Sequence, residues 1–405
     1  KRRTGREIQI THVGTRRPRP DLDLPASVKQ SADLMSIVRQ PDVDVVVEVM
    51  GGIHPAYDVI MEAIRHGKQV VTANKALLAE HGNELFKAAD DHKVQIAYEA
   101  AVAGGIPIIK VMREGLAANR IDWLAGIING TGNFILTEMR EKGRAFADVL
   151  KEAQELGYAE ADPTFDVEGI DAAHKLTLLA SIAFGIPLQF DKVFTEGISK
   201  IAAQDVKYAE DLGFRIKHLG IARRAAKGIE LRVHPTLIPE DQLIANVNGV
   251  KNAVLVQANA VGPTLYYGAG AGAGPTASAV IADVVDIVRD ISYTEDGAGT
   301  IPQLAFEALA DLPILSREEM TTGYYIRINA EDQTGVLADV TTILSRAGIS
   351  IDAIMQQPRL KDLIPIVILT DPVVEAKMDG ALAQIQALPV IHGEIVRIRL
   401  ESLDN

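Results

Sequence analysis

Residues 42–52 read DVDVVVEVMGG. This is a β-branched run that stops at two glycines, as buried parallel strands do. The pattern extends in both directions. Upstream, EIQITHVG at 7–14 alternates as a strand. Downstream come helix-like PAYDVIMEAIRHG, the short strand KQVVTANK, helix-like KALLAEHGNELFKAADDHK and a further strand opening VQIAYEAAVAGG. Strands alternating with helices at this spacing are βαβ units. Residues 1–104 are therefore expected to form a Rossmann-like, doubly wound parallel sheet with its ligand at the strand carboxyl ends. Such a sheet ordinarily opens with a strand and a GxGxxG turn, and neither is read before residue 7. The expectation is a dinucleotide fold lacking its first strand and pyrophosphate loop.

The chain has 405 residues, enough for two or three compact units, each able to bury a core. Its net charge of −13 argues against a nucleic-acid or anionic-membrane partner, because counterion release needs clustered Lys and Arg. The one basic cluster, KRRTGR with Arg16, Arg17 and Arg19, is confined to the first twenty residues. Cysteine is absent, which excludes disulfide frameworks, thiolate metal sites and cysteine nucleophiles and fits a reducing cytoplasm. No apolar run reaches the roughly 18 to 20 residues a bilayer span needs, and no signal-peptide pattern is read.

From residue 105 the pattern changes. Helical and loop segments lead into strand-rich sequence from about 218 to 268, which predicts an α+β substrate and dimerisation domain over 105–310. Within it, alanine- and glycine-rich GAGAGAG opens an amphipathic helix at 275–290, placed to pack back on the first domain. Residues 291–322 read as a linker. The last segment, 323–405, runs strand, helix, two strands, helix, strand, which is a ferredoxin-like order. Exposed sheet edges and this terminal unit favour self-association as a homodimer or homotetramer.

Four stretches carry candidate chemistry. In VVTANK, Lys75 follows a predicted strand end, where ligands bind in this architecture, although a helix-starting surface lysine is the plain alternative. EVMGG ends a strand at Gly51 and Gly52, glycines that allow close cofactor approach, or an ordinary turn. EAAVAGGIPII joins a carboxylate, Glu99, to an irregular glycine-containing stretch whose carbonyls suit a hard cation. NGTGNFIL places Gly130 and Thr131 before a helix, where backbone amides and the Thr131 hydroxyl would hold a substrate carboxylate or form a plain helix cap.

The richest stretch is EADPTFDVEGIDAAHKLTLLASIAF, 160–184. A helix beginning near Asp166 to Gly169 puts Asp171, Lys175, Leu178 and Ile182 on one face, so Lys175 heads an apolar stripe. A lysine stem on apolar surface with carboxylates nearby is held charged and oriented. Such an ammonium can protonate a carbonyl oxygen as hydride reaches the carbon, and the surrounding carboxylates can accept hydrogen bonds from a substrate amino group. Dipole complementation of the helix start suffices for Asp162 and Glu168.

These motifs together, with LGYAEADPTFDVEGIDAAHKLTLLA, YYGAGAGAGPTASAVIADVVDI and the terminal DQTGVLADVTTILSRAGISI, resemble the bacterial homoserine dehydrogenases along nearly the whole chain. The resemblance implies NADP- or NAD-dependent interconversion of L-aspartate 4-semialdehyde and L-homoserine, on the route to threonine, methionine and isoleucine. It implies Lys175 as proton donor and acceptor and Lys75 as a second active-site lysine beside the cofactor. Glu160 and Asp171 would bind the amino acid, with Asp166, Thr131 and Gly130 close by. Gly272, Gly51 and Arg16 would contact the cofactor, Arg16 at a ribose 2′-phosphate. Glu99, Val102, Gly104 and Ile106 would hold a structural sodium ion. The terminal unit resembles an ACT regulatory domain, which implies threonine as effector; an oligomerisation cap without ligand is the alternative. Its loop carries Thr334 where many ACT domains have proline. Rival readings are another amino-acid-carbonyl NAD(P) dehydrogenase and a non-catalytic ACT-type sensor.

Overall fold

The computed structural model describes residues 4, 6–17, 19, 23–293, 309–358 and 363–403. The chain forms two compact units. The first comprises residues 1–122, 174–191 and 258–312, and the second 123–173, 192–257 and 313–405.

In the first unit, strands Val45–Glu48, Gln69–Thr72 and Ile96–Ala97 lie parallel in chain order. The connecting helices follow from apolar spacing. Ala56–Arg65 buries Ala56, Val59, Ile60, Ala63 and Ile64, a single face at steps of three and four. The 17-residue helix Lys75–Asp91 is capped by Asn74, whose side chain accepts the Leu77 amide. Helix Ala273–Tyr293 adds Val280, Val284 and Ile287 to a cluster with Val71 and Ala97 from the sheet.

Two local expectations are corrected and a third gains detail. The strand expected over 7–14 forms only at His12–Gly14, paired in parallel with Lys29–Ser31, itself three residues long. Ile8 and Ile10, ahead of that pairing, are exposed. The last strand of the sheet is only Ile96–Ala97, because a 3₁₀ turn follows at Glu99–Ala101. The helix expected to begin near Asp166 to Gly169 runs Ile170–Phe184, preceded by a separate short helix, Thr164–Val167, with the break at Gly169. Gly169 has φ +85°, and a Cβ there would lie 3.0 to 3.1 Å from Thr195, Val233 and His218. Of the expected linker, residues 294–308 lie outside the described residues.

The second unit is built on a mixed sheet. Its centre is the antiparallel pair of 12-residue strands Phe214–Ala225 and Gly228–Pro239. The terminal segment shows the ferredoxin-like order, with strands Thr321–Glu331, Ile351–Gln356, Leu363–Val374 and Val396–Leu400 and helices Val336–Arg346 and Glu375–Gln386. Its fourth strand pairs in parallel with Gly228–Pro239, Arg399 opposite Thr236 and Leu400 opposite Leu237. One sheet thus runs through the terminal module into the rest of the unit.

Buried charges close this junction. Asp205 accepts from Arg327 at 2.6 and 3.0 Å and from the Tyr325 hydroxyl at 2.9 Å. Arg399 bonds Glu375 and, at 2.8 Å, Glu196. Arg232 bonds Glu401 at 2.5 Å. Ion pairs this dry hold only when each partner is satisfied.

Candidate active site

The carboxyl ends of the first two central strands are joined by a buried polar chain. Glu48 Oε1 accepts the amides of Met50 at 2.6 Å and Gly51 at 3.3 Å, and Oε2 accepts the Thr72 hydroxyl at 2.6 Å. Thr72 Oγ1 accepts the Asn74 amide at 3.0 Å, and Asn74 Nδ2 donates to the Gly52 carbonyl at 2.6 Å. Glu48, Thr72 and Asn74 are all buried. The chain holds two turns side by side: one carries Gly51 and Gly52, both at φ +73°, and the other presents half-buried Lys75 as the first residue of its helix. None of the three network residues was singled out from sequence. The signal was there in an acid closing a β-branched run and in a Thr and an Asn before a helix. Arg16 is exposed just beyond the His12–Gly14 strand.

The second small-residue run explains the first. Ala103 and Gly104 both have positive φ, +53° and +47°, and a Cβ on Gly104 would come within 2.5 Å of the Gly270 carbonyl. The Gly105 amide donates to the Ala269 carbonyl at 2.9 Å. Position 104 therefore needs glycine, because there the backbone of AVAGG touches that of GAGAGAG. Gly272, at φ +116°, is the residue immediately before helix Ala273–Tyr293.

Glu99 opens the AVAGG loop and is 4% exposed. Its carboxyl oxygens accept the Ile109 and Lys110 amides, each at 2.9 Å, and its own amide donates to Asp283 at 2.8 Å. Burial raises the Glu99 pKa, against the opposing pull of those two amides. Burial likewise pushes Asp283 up to about 7. Among the described residues no group of three or more His, Asp or Glu is placed to ligate a metal. A cation at this loop would rest on carbonyl oxygens with Glu99 as the one carboxylate, a donor set suited to a hard monovalent ion.

In the second unit, Asn129 caps helix Gly130–Lys142, its Oδ1 accepting the Gly132 amide at 2.7 Å. Its Nδ2 donates to Asp166 at 2.8 Å and to Asp171 at 2.9 Å. Asp166 and Asp171, on either side of the helix break, are thereby brought together beside Gly130 and Thr131. The Thr131 hydroxyl donates to the Tyr158 carbonyl at 2.6 Å. The hydroxyl read from sequence as a donor to a substrate carboxylate thus spends its one proton on that carbonyl in this structure. The first-turn amides of Gly130 and Thr131 have no intrahelical acceptor by construction. Glu160 is exposed on the loop after Tyr158. Asp162 accepts the Thr164 amide and hydroxyl, which accounts for it as a cap.

Lys175 lies one turn after Asp171 on the helix Ile170–Phe184. From Asp171 to Ala180 it is the one residue that is not buried. A cation at the single open position of an otherwise buried helical run is oriented by its apolar stem.

Residues 107–285 match the sequence pattern of the family described as Homoserine dehydrogenase, residues 1–99 that of its NAD binding domain, and residues 324–390 that of the ACT domain. A homoserine dehydrogenase of Pseudomonas aeruginosa is 60% identical over all of this chain and 93% of its own length. The crystal structure of a homoserine dehydrogenase from Thiobacillus denitrificans, 57% identical, superposes with a TM-score of 0.95, covering all of this chain and 92% of that one. A hyperthermophilic archaeal homoserine dehydrogenase in complex with NADPH, 28% identical, superposes at 0.55 over 63% of this chain and 74% of its own.

Proposed function

The chain belongs to the homoserine dehydrogenase family of oxidoreductases, and on that premise we propose how its residues divide the work of reducing L-aspartate 4-semialdehyde to L-homoserine. The supporting observation is the pair of carboxylates held by Asn129 with Lys175 one helical turn beyond, at the only open position of its run.

Glu160, Asp166 and Asp171 supply negative charge for the substrate ammonium, and the Gly130 and Thr131 amides face its carboxylate. When bound, the nicotinamide dinucleotide supplies hydride to the aldehyde carbon, or accepts it in reverse. Lys175 handles the proton: its ammonium protonates the nascent alkoxide, and its neutral amine takes the proton back from the hydroxyl. Lys75, Gly51 and Gly272 contact the dinucleotide, with Arg16 reading a ribose 2′-phosphate; that places NADP ahead of NAD, in keeping with the NADPH carried by the archaeal relative. The reaction serves threonine, methionine and isoleucine synthesis in the cytoplasm, in a homodimer or homotetramer, with threonine as effector at the ACT segment. In keeping with a soluble enzyme, no helix among the described residues is long and apolar enough to cross a membrane.

Homoserine-dependent reduction of NADP⁺, followed by cofactor absorbance, tests the reaction. Glu160→Gln is expected to raise the homoserine KM by roughly 10-fold, the equivalent of one hydrogen bond to a charged group, and to leave the cofactor KM unchanged. An unchanged homoserine KM would remove Glu160 from the substrate site.

The Glu99 loop fits a structural sodium ion held by Glu99 and the carbonyls of Val102, Gly104 and Ile106. A cation bound only by the folded chain raises its unfolding temperature. Replacing potassium by sodium at constant ionic strength should therefore raise the Tm of the wild type, and the rise should vanish in Glu99→Gln. Equal Tm values in the two salts would sink the assignment.

A further inference from the structure

We infer that Asn129 is a positioning residue for the reaction, its carboxamide pinning Asp166 and Asp171 into one substrate-ammonium site across the break at Gly169; this rests on the reading above that those carboxylates meet the substrate. The orientation of the amide is determined. Because the Gly132 amide donates to Oδ1 at 2.7 Å, the NH₂ end must face the acids, one N–H to each, at 2.8 and 2.9 Å. Asn129 is 6% exposed, so it acts through the two acids rather than on substrate.

A neutral donor suits this place. An arginine or lysine in its place would hold the same carboxylates while adding a positive charge, whereas a carboxamide holds them apart and adds none. The pin also spans two elements. Asp166 belongs to helix Thr164–Val167 and Asp171 to helix Ile170–Phe184, so one side chain sets the angle at which the Lys175 helix starts. A Cβ on Gly169 between them would crowd the side chains of Thr195, Val233 and His218, so the backbone of the break is enclosed as well.

The experiment uses the full chain. Asn129→Ser and Asn129→Asp each keep an oxygen for the Gly132 amide and lose both N–H donors, which separates the pin from the cap. Asn129→Ser is expected to lower kcat/KM for homoserine roughly 10- to 100-fold, chiefly through KM, with cofactor KM and Tm near wild type. Asn129→Asp, which adds a third carboxylate, should be worse. In a double-mutant cycle with Asp171→Asn the losses should fall short of multiplying. A folded Asn129→Ser within twofold of wild type, or losses that multiply fully, overturns the pin. If Asp166→Asn and Asp171→Asn are themselves silent while Asn129→Ser is impaired, the carboxylate reading fails and the pin with it. If they are impaired and Asn129→Ser is not, the pin alone fails.

Discussion

Replacing Lys175 by alanine is expected to lower turnover about 10²- to 10⁴-fold in both directions, the range by which a positioned acid or base speeds proton transfer. The loss should appear in kcat, with binding of cofactor little changed. Stability should also change little, since Lys175 is the open position in a run whose other side chains from Asp171 to Ala180 are buried. Those buried neighbours hold the helix without it. Lys175→Arg should not restore the activity, because a guanidinium stays protonated and cannot act as base in homoserine oxidation. Wild-type turnover from a folded, cofactor-binding Lys175→Ala would move the proton transfer to another residue.

The second large effect is on stability. Glu375 is fully buried and accepts from Arg399 and from the Tyr324 hydroxyl, the latter at 2.7 Å. Glu375→Gln should leave Arg399 as a buried, underpaired cation, and a half-broken pair of this kind costs about 3–5 kcal/mol. Chemical unfolding of the full chain measures it; a loss below about 1 kcal/mol would mean that Glu196, the other carboxylate on Arg399, suffices. The pH dependence has a definite sign. Burial alone would raise the Glu375 pKa, but Arg399, Tyr324 and Arg397 together hold it below the usual value. Its stabilisation is therefore present above the ordinary glutamate pKa and lost as pH falls through the lowered folded value, so the variant should lose this part of the acid sensitivity.

The same residues bear on regulation. Removing 323–405 would strip Arg327 from Asp205, Glu401 from Arg232 and a strand from Gly228–Pro239. Such a truncation tests folding rather than sensing. Threonine response is better read on the intact chain.

Much of this chain was legible as written. DVDVVVEVMGG, PAYDVIMEAIRHG and the terminal strand and helix order each encode an element through short-range spacing, and spacing is a local property. Lys75 at a strand end and Lys175 one turn after Asp171 were found the same way. The small-residue runs AVAGG and GAGAGAG were legible as places needing glycine, but not as partners, because about 165 positions separate Gly104 from Gly270. Residues 7–11 alternate as a strand should, yet the structure forms one only at His12–Gly14, since a strand needs a neighbour as well as a pattern.

What the order of residues settled was the kind of most of the longer elements and the face their residues take, because periodicity is a local property. The folded chain settled which distant groups meet. Asn129 reaches carboxylates 37 and 42 positions away, the Thr131 proton goes to Tyr158, and a C-terminal strand completes the sheet beside Gly228–Pro239. Hydrogen bonds and ion pairs act over a few ångströms, and only chain folding brings such residues within that range.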